Sequence, residues 1–473
     1  MAIDTVFSPT DTIVAIATPP GRGGIGIVRI SGSRAVDVAQ AVLSTPHPLE
    51  PRRATRTFAR AVGAAAQPGG GVRPGAAIDE VVATYFPSPH SYTTEDVVEI
   101  GAHGSPAGLR EIVRSAVAAG ARLAERGEFT FRAYLGGRID LVQAEAVADL
   151  VDSVTPLQAR VAFDQLEGTL TRAIGALDAR LFDLVAKLEA SIDFPDEGFH
   201  FVGAAEVVAA LNEVRGGILR LLGSARMGRL VREGRQVAIV GKPNVGKSSL
   251  FNWLVGADRA IVTSVPGTTR DLLRESVDFE GVRLSLVDTA GIREVLDEVE
   301  REGVERARRA PAAADVVFVV LDASREVSVE DRDVLARTAA VRRVVVVNKT
   351  DLPRAWNRNL VREIEGDAVV EISLATGAGL PALRAATLGA LEVDGALIDD
   401  PMVTNIRHEA LLGLALASIE RAMSGLETRG ERLNEELMLA DLAGARRAFE
   451  EVVGTRTPDD VLRAIFERFC IGK

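Results

Sequence analysis

The stretch Gly241-Lys242-Pro243-Asn244-Val245-Gly246-Lys247-Ser248 decides the fold. It fits G-x-x-x-x-G-K-[ST], and its neighbours supply the strand and helix that this pattern needs. Gln236-Val237-Ala238-Ile239-Val240 reads as a short buried strand, and Ser249-Leu250-Phe251-Asn252-Trp253-Leu254-Val255 opens a helix. Glycines let backbone N–H groups close around phosphate oxygens, and the helix N-terminus adds positive potential there. Lys247 then reaches the β- and γ-phosphates and Ser248 ligates Mg²⁺. The competing reading is an ordinary Gly-rich turn.

Further parts lie downstream at usable spacing. Residues 282–287 read as a strand that runs into Asp288-Thr289-Ala290-Gly291. An Asp at such a strand end holds Mg²⁺ through water, and the following Gly N–H senses a γ-phosphate. Gly267-Thr268-Thr269-Arg270-Asp271 lies in a loop whose threonine can ligate Mg²⁺ only while the γ-phosphate is present, which makes a switch. Residues 344–347 form a buried strand leading into Asn348-Lys349-Thr350-Asp351. The Asp351 carboxylate can accept from guanine N1–H and the 2-amino group, whereas adenine would leave it unpaired at high cost. Asn348 supports the loop and the Lys349 stem covers the base. Ser373-Leu374-Ala375 only partly matches the Ser-Ala-Lys or Ser-Ala-Arg loop of such domains. Together these motifs predict an α/β phosphate-loop GTPase domain.

Catalysis departs from the Ras-like pattern. The position after Asp-x-x-Gly is Ile292, where a water-orienting glutamine is expected, and no arginine finger is identifiable. Without both, hydrolysis would run on the order of 10⁻⁴ per second. Asn244, inside the phosphate loop, can ligate a monovalent cation that stabilises transition-state charge as an arginine does. Glu300, in Asp297-Glu298-Val299-Glu300, can orient water, although its plain reading is a solvated acidic helix start.

The chain has 473 residues, which suits two or three domains, and 47% hydrophobic residues suffice for real cores. With 55 basic and 66 acidic residues the net charge is −11, so a general polyanion binder is excluded and any nucleic-acid contact needs a local patch. The single cysteine, Cys470, excludes an internal disulfide. The segment Met1-Ala2-Ile3-Asp4-Thr5-Val6 has no basic leader, and no run of about 18 apolar residues occurs. The expectation is a soluble, cytoplasmic protein. Only five lysines are present, Lys187, Lys242, Lys247, Lys349 and Lys473, and three of them fall in the nucleotide motifs. A compact ammonium and a guanidinium fork are not interchangeable at phosphates.

Upstream, residues 12–17 read as a strand. Gly21-Arg22-Gly23-Gly24-Ile25-Gly26 matches the dinucleotide fingerprint G-x-G-x-x-G but is followed by the β-rich Ile27-Val28-Arg29-Ile30-Ser31 rather than a helix. A Gly-rich hairpin is expected instead. Residues 61–75 read as a loop, 79–86 and 96–100 as strands and 105–119 as a helix, giving an α+β domain over 1–137. Its Arg29, Arg52, Arg53, Arg56 and Arg138 read as a solvated surface, with a ligand or RNA patch as the alternative. Helical periodicity starts near residue 139 and returns at 402–424, 431–453 and 458–469. This predicts a helical domain (138–232 and 395–473) split by an inserted nucleotide domain (233–394).

Residues 11–32 (Asp11-Thr12-Ile13-Val14-Ala15-Ile16-Ala17-Thr18-Pro19-Pro20-Gly21-Arg22-Gly23-Gly24-Ile25-Gly26-Ile27-Val28-Arg29-Ile30-Ser31-Gly32), the inserted GTPase motifs and the terminal Phe469-Cys470-Ile471-Gly472-Lys473 resemble the MnmE (TrmE) family of tRNA modification GTPases over essentially the whole chain. The resemblance implies an N-terminal folate-binding domain that dimerises, a helical domain and a potassium-dependent GTPase domain. It implies a flavin-dependent partner, MnmG (GidA), a tetrahydrofolate one-carbon donor (5-formyl- or methylene-tetrahydrofolate), and installation of an aminomethyl-type group on carbon 5 of wobble uridine in tRNA. Carried over by motif, Arg29, Glu99, Arg138 and Lys473 look like folate contacts, Arg138 standing where the family often has lysine. Asn244, Thr263, Val265 and Thr268 look like K⁺ ligands, and Ser248 and Thr269 Mg²⁺ ligands. The GTP-contacting set becomes Asn244, Val245, Gly246, Lys247, Ser248 and Ser249; Thr263, Ser264, Val265, Pro266, Gly267, Thr268 and Thr269; Asp288, Thr289, Ala290 and Gly291; and Asn348, Lys349 and Asp351. Glu300, with Asn244 and Lys247, becomes the leading catalytic candidate. Cys470 fits either a nucleophile or packing, and His103 either borders the folate pocket or has a local role. The alternative function is a regulatory GTPase that only switches partner binding, as in ribosome assembly.

Overall fold

Alternating burial along short β-rich runs builds the first sheet. A computed structural model describes residues 11–63, 75–193, 203–256, 274–288, 314–355, 368–391, 401–428 and 435–473. The chain divides into two compact units, one of Met1–Ala148, Gln165–Arg172 and Arg447–Lys473, the other of Asp149–Asp164 and Ala173–Arg446.

In the first unit β1 (Ile13–Ile16), β2 (Gly23–Ser31), α1 (Ala35–Val42), β3 (Thr55–Arg60), β4 (Ala77–Phe86), β5 (Val97–Gly104), α2 (Pro106–Ala118) and β6 (Arg122–Leu123) follow in order. The strands lie as β3-β4-β5-β2-β1-β6, antiparallel except for β1 beside β6. Val28, Ile30, Val81, Ala83, Val98 and Ile100 point into a core shared with Val38 and Val42 of α1 and Leu109 and Ile112 of α2. Because side chains alternate along a strand, Arg29, Glu99 and Thr84 fall on the other face, and the register sets them side by side. The Gly-rich stretch closes the expected antiparallel hairpin of β1 and β2; the second strand begins earlier than expected, at Gly23, with a register shift between Gly23 and Gly26. Close packing requires glycine at two positions here: a Cβ at Gly26 would strike the Leu109 side chain, and one at Gly104, at the end of β5, would strike the Gly23 backbone. Helix α3 (Glu128–Leu135) follows.

Helices α4 (Leu141–Val151), α5 (Pro156–Leu166), α6 (Thr169–Asp193) and α7 (Ala204–Glu233) come next. The nucleotide-motif segment holds β7 (Arg235–Val240), α8 (Lys247–Gly256), β8 (Arg274–Phe279), β9 (Val282–Asp288), β10 (Val316–Asp322), α9 (Val329–Arg337), β11 (Arg343–Asn348), β12 (Ala368–Glu371) and α10 (Leu380–Leu391). Its sheet runs β12-β11-β10-β7-β9-β8, parallel except for β8 beside β9. β10 is buried at every position, as a central parallel strand covered on both faces must be. The phosphate loop leaves β7 between β10 and β9, where strand order reverses and α/β sheets place ligands. Helices α11 (Ile406–Thr428), α12 (Glu435–Val453) and α13 (Asp459–Phe466) complete the described elements.

Two buried side chains at the start of α5 tie it to the second unit's sheet and to α7. Thr155 Oγ1 donates to the Gly281 carbonyl at 2.8 Å, in the turn between β8 and β9. Gln158 Nε2 donates to the carbonyls of Val231 and Arg232 at 2.8 and 3.1 Å, capping the end of α7 just before β7.

Candidate functional site

The phosphate loop has the backbone its sequence demands. Gly241 and Gly246 have φ of 148° and 107°, a region closed to most side chains. A Cβ at Gly241 would strike the Val320 carbonyl, and one at Gly246 would strike Asn348 Nδ2. Asn244, with φ 65°, is the non-glycine residue best able to sit there, and it is exposed. Lys247 begins α8 and its Nζ donates to the Lys242 carbonyl at 2.7 Å; Ser248 and Ser249 are exposed in the first helical turn.

The Asn348-Lys349-Thr350-Asp351 loop closes on this loop. Asn348 is buried; its Nδ2 donates to the Val245 carbonyl at 2.9 Å and its Oδ1 accepts from Leu374 N at 3.2 Å. Lys349 Nζ donates to the Asn244 carbonyl at 2.7 Å and to Asp322 Oδ2 at 2.7 Å. Burial alone would raise the Asp322 carboxyl pKa, but hydrogen bonds from Lys349 and Ser324 and the ammonium charge hold it below the usual carboxylate range. Ser373 Oγ donates to Asp351 Oδ1 at 2.6 Å, so the partly matching Ser373-Leu374-Ala375 loop braces both polar residues of the guanine motif. Asp288 ends β9, its backbone beside Ile239 of β7. Thr263 to Thr269, Thr289, Ala290, Gly291 and Glu300 lie outside the described residues.

A separate constellation forms in the first unit. Arg29 Nε donates to Glu99 Oε1 at 2.9 Å and Nη2 lies 2.8 Å from the same oxygen, so Oε2 keeps its acceptor capacity. Arg29 Nη1 also donates to the Gly472 carbonyl at 3.4 Å. Arg29 and Arg138 both stack on the Tyr92 ring, at 5.1 and 5.3 Å from its centre, and Arg138 donates to the Ser91 carbonyl. Burial pushes the Lys473 ammonium pKa down, the Arg29 charge adds to this, and Cys470 and Glu99 oppose it. The four predicted contacts therefore converge around Tyr92 and the terminal tail. Arg53 and Arg56, by contrast, make exposed pairs with Glu50 and Glu80, as a solvated surface would.

The fold brings the tail there. Phe131 and Phe466 meet edge to face at 5.0 Å in a cluster with Leu141, Val147 and Phe469. Ile471 then bridges Arg126, and Gly472, at φ 99°, lies so close to the Ile16 carbonyl that a Cβ would collide. Cys470 is exposed, and its carbonyl accepts from Gly127 N at 3.5 Å. Beside Glu99 a groove of about 580 Å³ runs past Ile25, Ile27, Arg56, Glu80 and His103. His103 is anchored in its rim, Nδ1 lying 2.8 Å from Asp79 Oδ1. Tyr92 was not legible in the sequence, since Ser91-Tyr92-Thr93 matches no motif.

A buried ion cluster supports this region. Arg122 and Arg132 both reach the fully buried Glu128, at 2.7 and 2.9 Å, and Arg132 also reaches Glu95 at 3.0 Å. Burial raises the Glu128 carboxyl pKa, but its bonds from Arg122, the Glu125 N–H and Arg132 bring it below the ordinary value.

Comparison with known proteins identifies the family. Residues 12–138 match the family model "GTP-binding protein TrmE N-terminus", and residues 141–470 match "MnmE helical domain". The "tRNA modification GTPase MnmE" of Koribacter versatilis is 46% identical over 98% of this chain and 99% of that protein. The protein of the same name from Symbiobacterium thermophilum is 44% identical over the same shares of each. The solved structure of Era from Aquifex aeolicus is 29% identical, covering 41% of this chain and 68% of that one at a TM-score of 0.26. Matched along nearly its whole length, the chain belongs to the MnmE (TrmE) family of tRNA modification GTPases.

Proposed function

We propose that this chain is the GTP-hydrolysing component of the system that modifies carbon 5 of wobble uridine in tRNA, with a tetrahydrofolate derivative as one-carbon donor. Family membership carries the GTPase activity itself. The finer reading rests on one observation: Arg29, Glu99, Arg138 and the Gly472–Lys473 tail, far apart in sequence, converge around Tyr92, and Glu99 also lines a ligand-sized groove.

These groups fit folate. A pterin offers N–H groups to the Glu99 carboxylate, and a glutamate tail offers carboxylates to Arg138 and Lys473. Bound tetrahydrofolate would supply the one-carbon unit. Arg29 fixes the Glu99 orientation by two bonds to one oxygen, and Tyr92 holds both guanidiniums.

In the nucleotide site Lys247 neutralises phosphate charge, and loop N–H groups orient the phosphates. Ser248 and Thr269 would hold Mg²⁺. Asn244, Thr263, Val265 and Thr268 would hold K⁺, which supplies positive charge in place of an arginine finger, and Glu300 would orient water. The exposed Asn244 fits a role toward an ion beside the phosphates. Asp351 and Asn348 read guanine.

The uncovered sheet face, with Ile25, Phe58 and Val82 exposed, suits homodimer formation. MnmG and tRNA are the further partners, and the cytoplasm is the compartment. Among the described residues no helix is long and apolar enough to cross a membrane.

Two measurements test this reading. GTP turnover rises sharply when Na⁺ is replaced by K⁺, and Asn244→Ala abolishes the rise; equal rates in both salts contradict the cation assignment. Calorimetry with 5-formyl-tetrahydrofolate gives saturable binding, and its absence in a second, independent assay rejects the folate pocket.

A further inference from the structure

The β10–α9 segment carries none of the GTPase motifs, yet two of its carboxylates grip the nucleotide loops. Asp322 ends β10 with its side chain buried. Its Oδ2 accepts from Lys349 Nζ at 2.7 Å, and its Oδ1 accepts from the Ser324 N–H and hydroxyl at 2.9 and 2.7 Å. The same ammonium donates to the Asn244 carbonyl at 2.7 Å. It thus links two residues, Asn244 and Lys349, that both sit at φ 65°, where non-glycine residues are uncommon.

The second grip is at the loop's entrance. Lys242 Nζ lies 2.5 Å from Asp331 Oδ2 and donates to Ser328 Oγ at 2.8 Å. Ser328 and Asp331 form the capping box of α9, so Lys242 is tied to a preformed helix start. The chemistry accounts for the choice of lysine at these positions in a chain with five lysines: each ammonium bridges two oxygens, which a planar guanidinium fork does with different geometry.

We propose that Asp322 and Asp331 are positioning residues of the GTP site, holding the phosphate loop in its phosphate-accepting shape through Lys349 and Lys242. The inference rests on the reading of residues 241–248 as that site. Both carboxylates act through a lysine rather than on the nucleotide, so their effect is on how well the loop is pre-organised.

The test is equilibrium binding of a fluorescent GDP to the full chain. Asp322→Asn weakens binding about tenfold, the scale of one charge-assisted bond. Lys349→Ala weakens it at least as much, and the double variant stays within about twofold of Lys349→Ala, because both changes break one link. Wild-type affinity in Asp322→Asn, or a loss that adds in full to that of Lys349→Ala, overturns the Asp322 assignment. Should Asp322→Asn fail to fold, Lys242→Met carries the test on a partly exposed side chain. It weakens GDP binding about threefold, a fraction of one buried bond, and unchanged affinity overturns the proposal. A wild-type chain that binds no GDP would reject the underlying GTP-site reading instead.

Discussion

Asn348 and Val245, which touch in the nucleotide site, belong to loops that can each be recognised in isolation. Arg29, Glu99, Arg138 and Gly472 meet in the other pocket from four stretches that share no local pattern. A phosphate is gripped by successive backbone N–H groups, so its binding loop must be contiguous. A pocket made of side chains needs only a common face, which strand register and tail docking provide. The first kind of site is written in the sequence as a motif; the second is written in the fold.

Four predictions press on this contrast, beginning with the largest effect. Asp351→Ala lowers GTP affinity about 10²- to 10⁴-fold, from two charge-assisted bonds worth ~1.5–3 kcal/mol each. The variant also loses the preference for GTP over ITP, which lacks the 2-amino group; a retained preference would mean that guanine is read elsewhere.

Next, Arg29→Gln weakens formyl-tetrahydrofolate binding about 10- to 100-fold, since it frees Glu99 and removes the contact to the tail. Binding is also pH-dependent. Burial and the Arg29 charge lower the Lys473 ammonium pKa and an anionic ligand raises it again, so affinity falls, and binding takes up a proton, only as pH rises through the lowered value. Calorimetry in buffers of different ionisation enthalpy checks the proton uptake.

Gly472→Ala tests whether the tail is part of the pocket. At φ 99° and against the Ile16 carbonyl, a Cβ cannot be accommodated, at a cost of about 1–3 kcal/mol. The tail undocks and folate affinity drops, while GDP affinity stays unchanged. Equal loss of both ligands would mean that the two sites are not separately built.

The smallest effect is acid sensitivity. Glu128 has its folded pKa below its unfolded one, so its stabilisation is complete above about pH 4.3 and is lost as pH falls through the folded value. Glu128→Gln flattens the acid limb of the unfolding curve followed by circular dichroism.

The same contrast explains what was legible. The strand, loop and helix around Gly241 to Ser248 were readable because apolar runs and glycines there obey local rules. In the first unit, β3 carries no local signal of a strand. Thr55-Arg56-Thr57-Phe58-Ala59-Arg60 is a polar edge strand with Phe58 exposed, and only its partner β4 makes it a strand. The hairpin of β1 and β2 was legible from its glycines, but the need for glycine at 26, which lies against Leu109, is a tertiary fact. The arginines read as one solvated set divide according to register and stacking: Arg53 and Arg56 are surface pairs, while Arg29 and Arg138 share Tyr92.

The central claim is that GTP hydrolysis and the folate pocket serve one modification reaction. Nucleoside analysis of tRNA from a deletion strain tests it most directly. The account predicts loss of the carbon-5 modification at wobble uridine, restored by the wild-type gene but not by Lys247→Ala or Arg29→Gln. Wobble uridines that keep their modification in the deletion strain, with no second copy of the gene present, would contradict it.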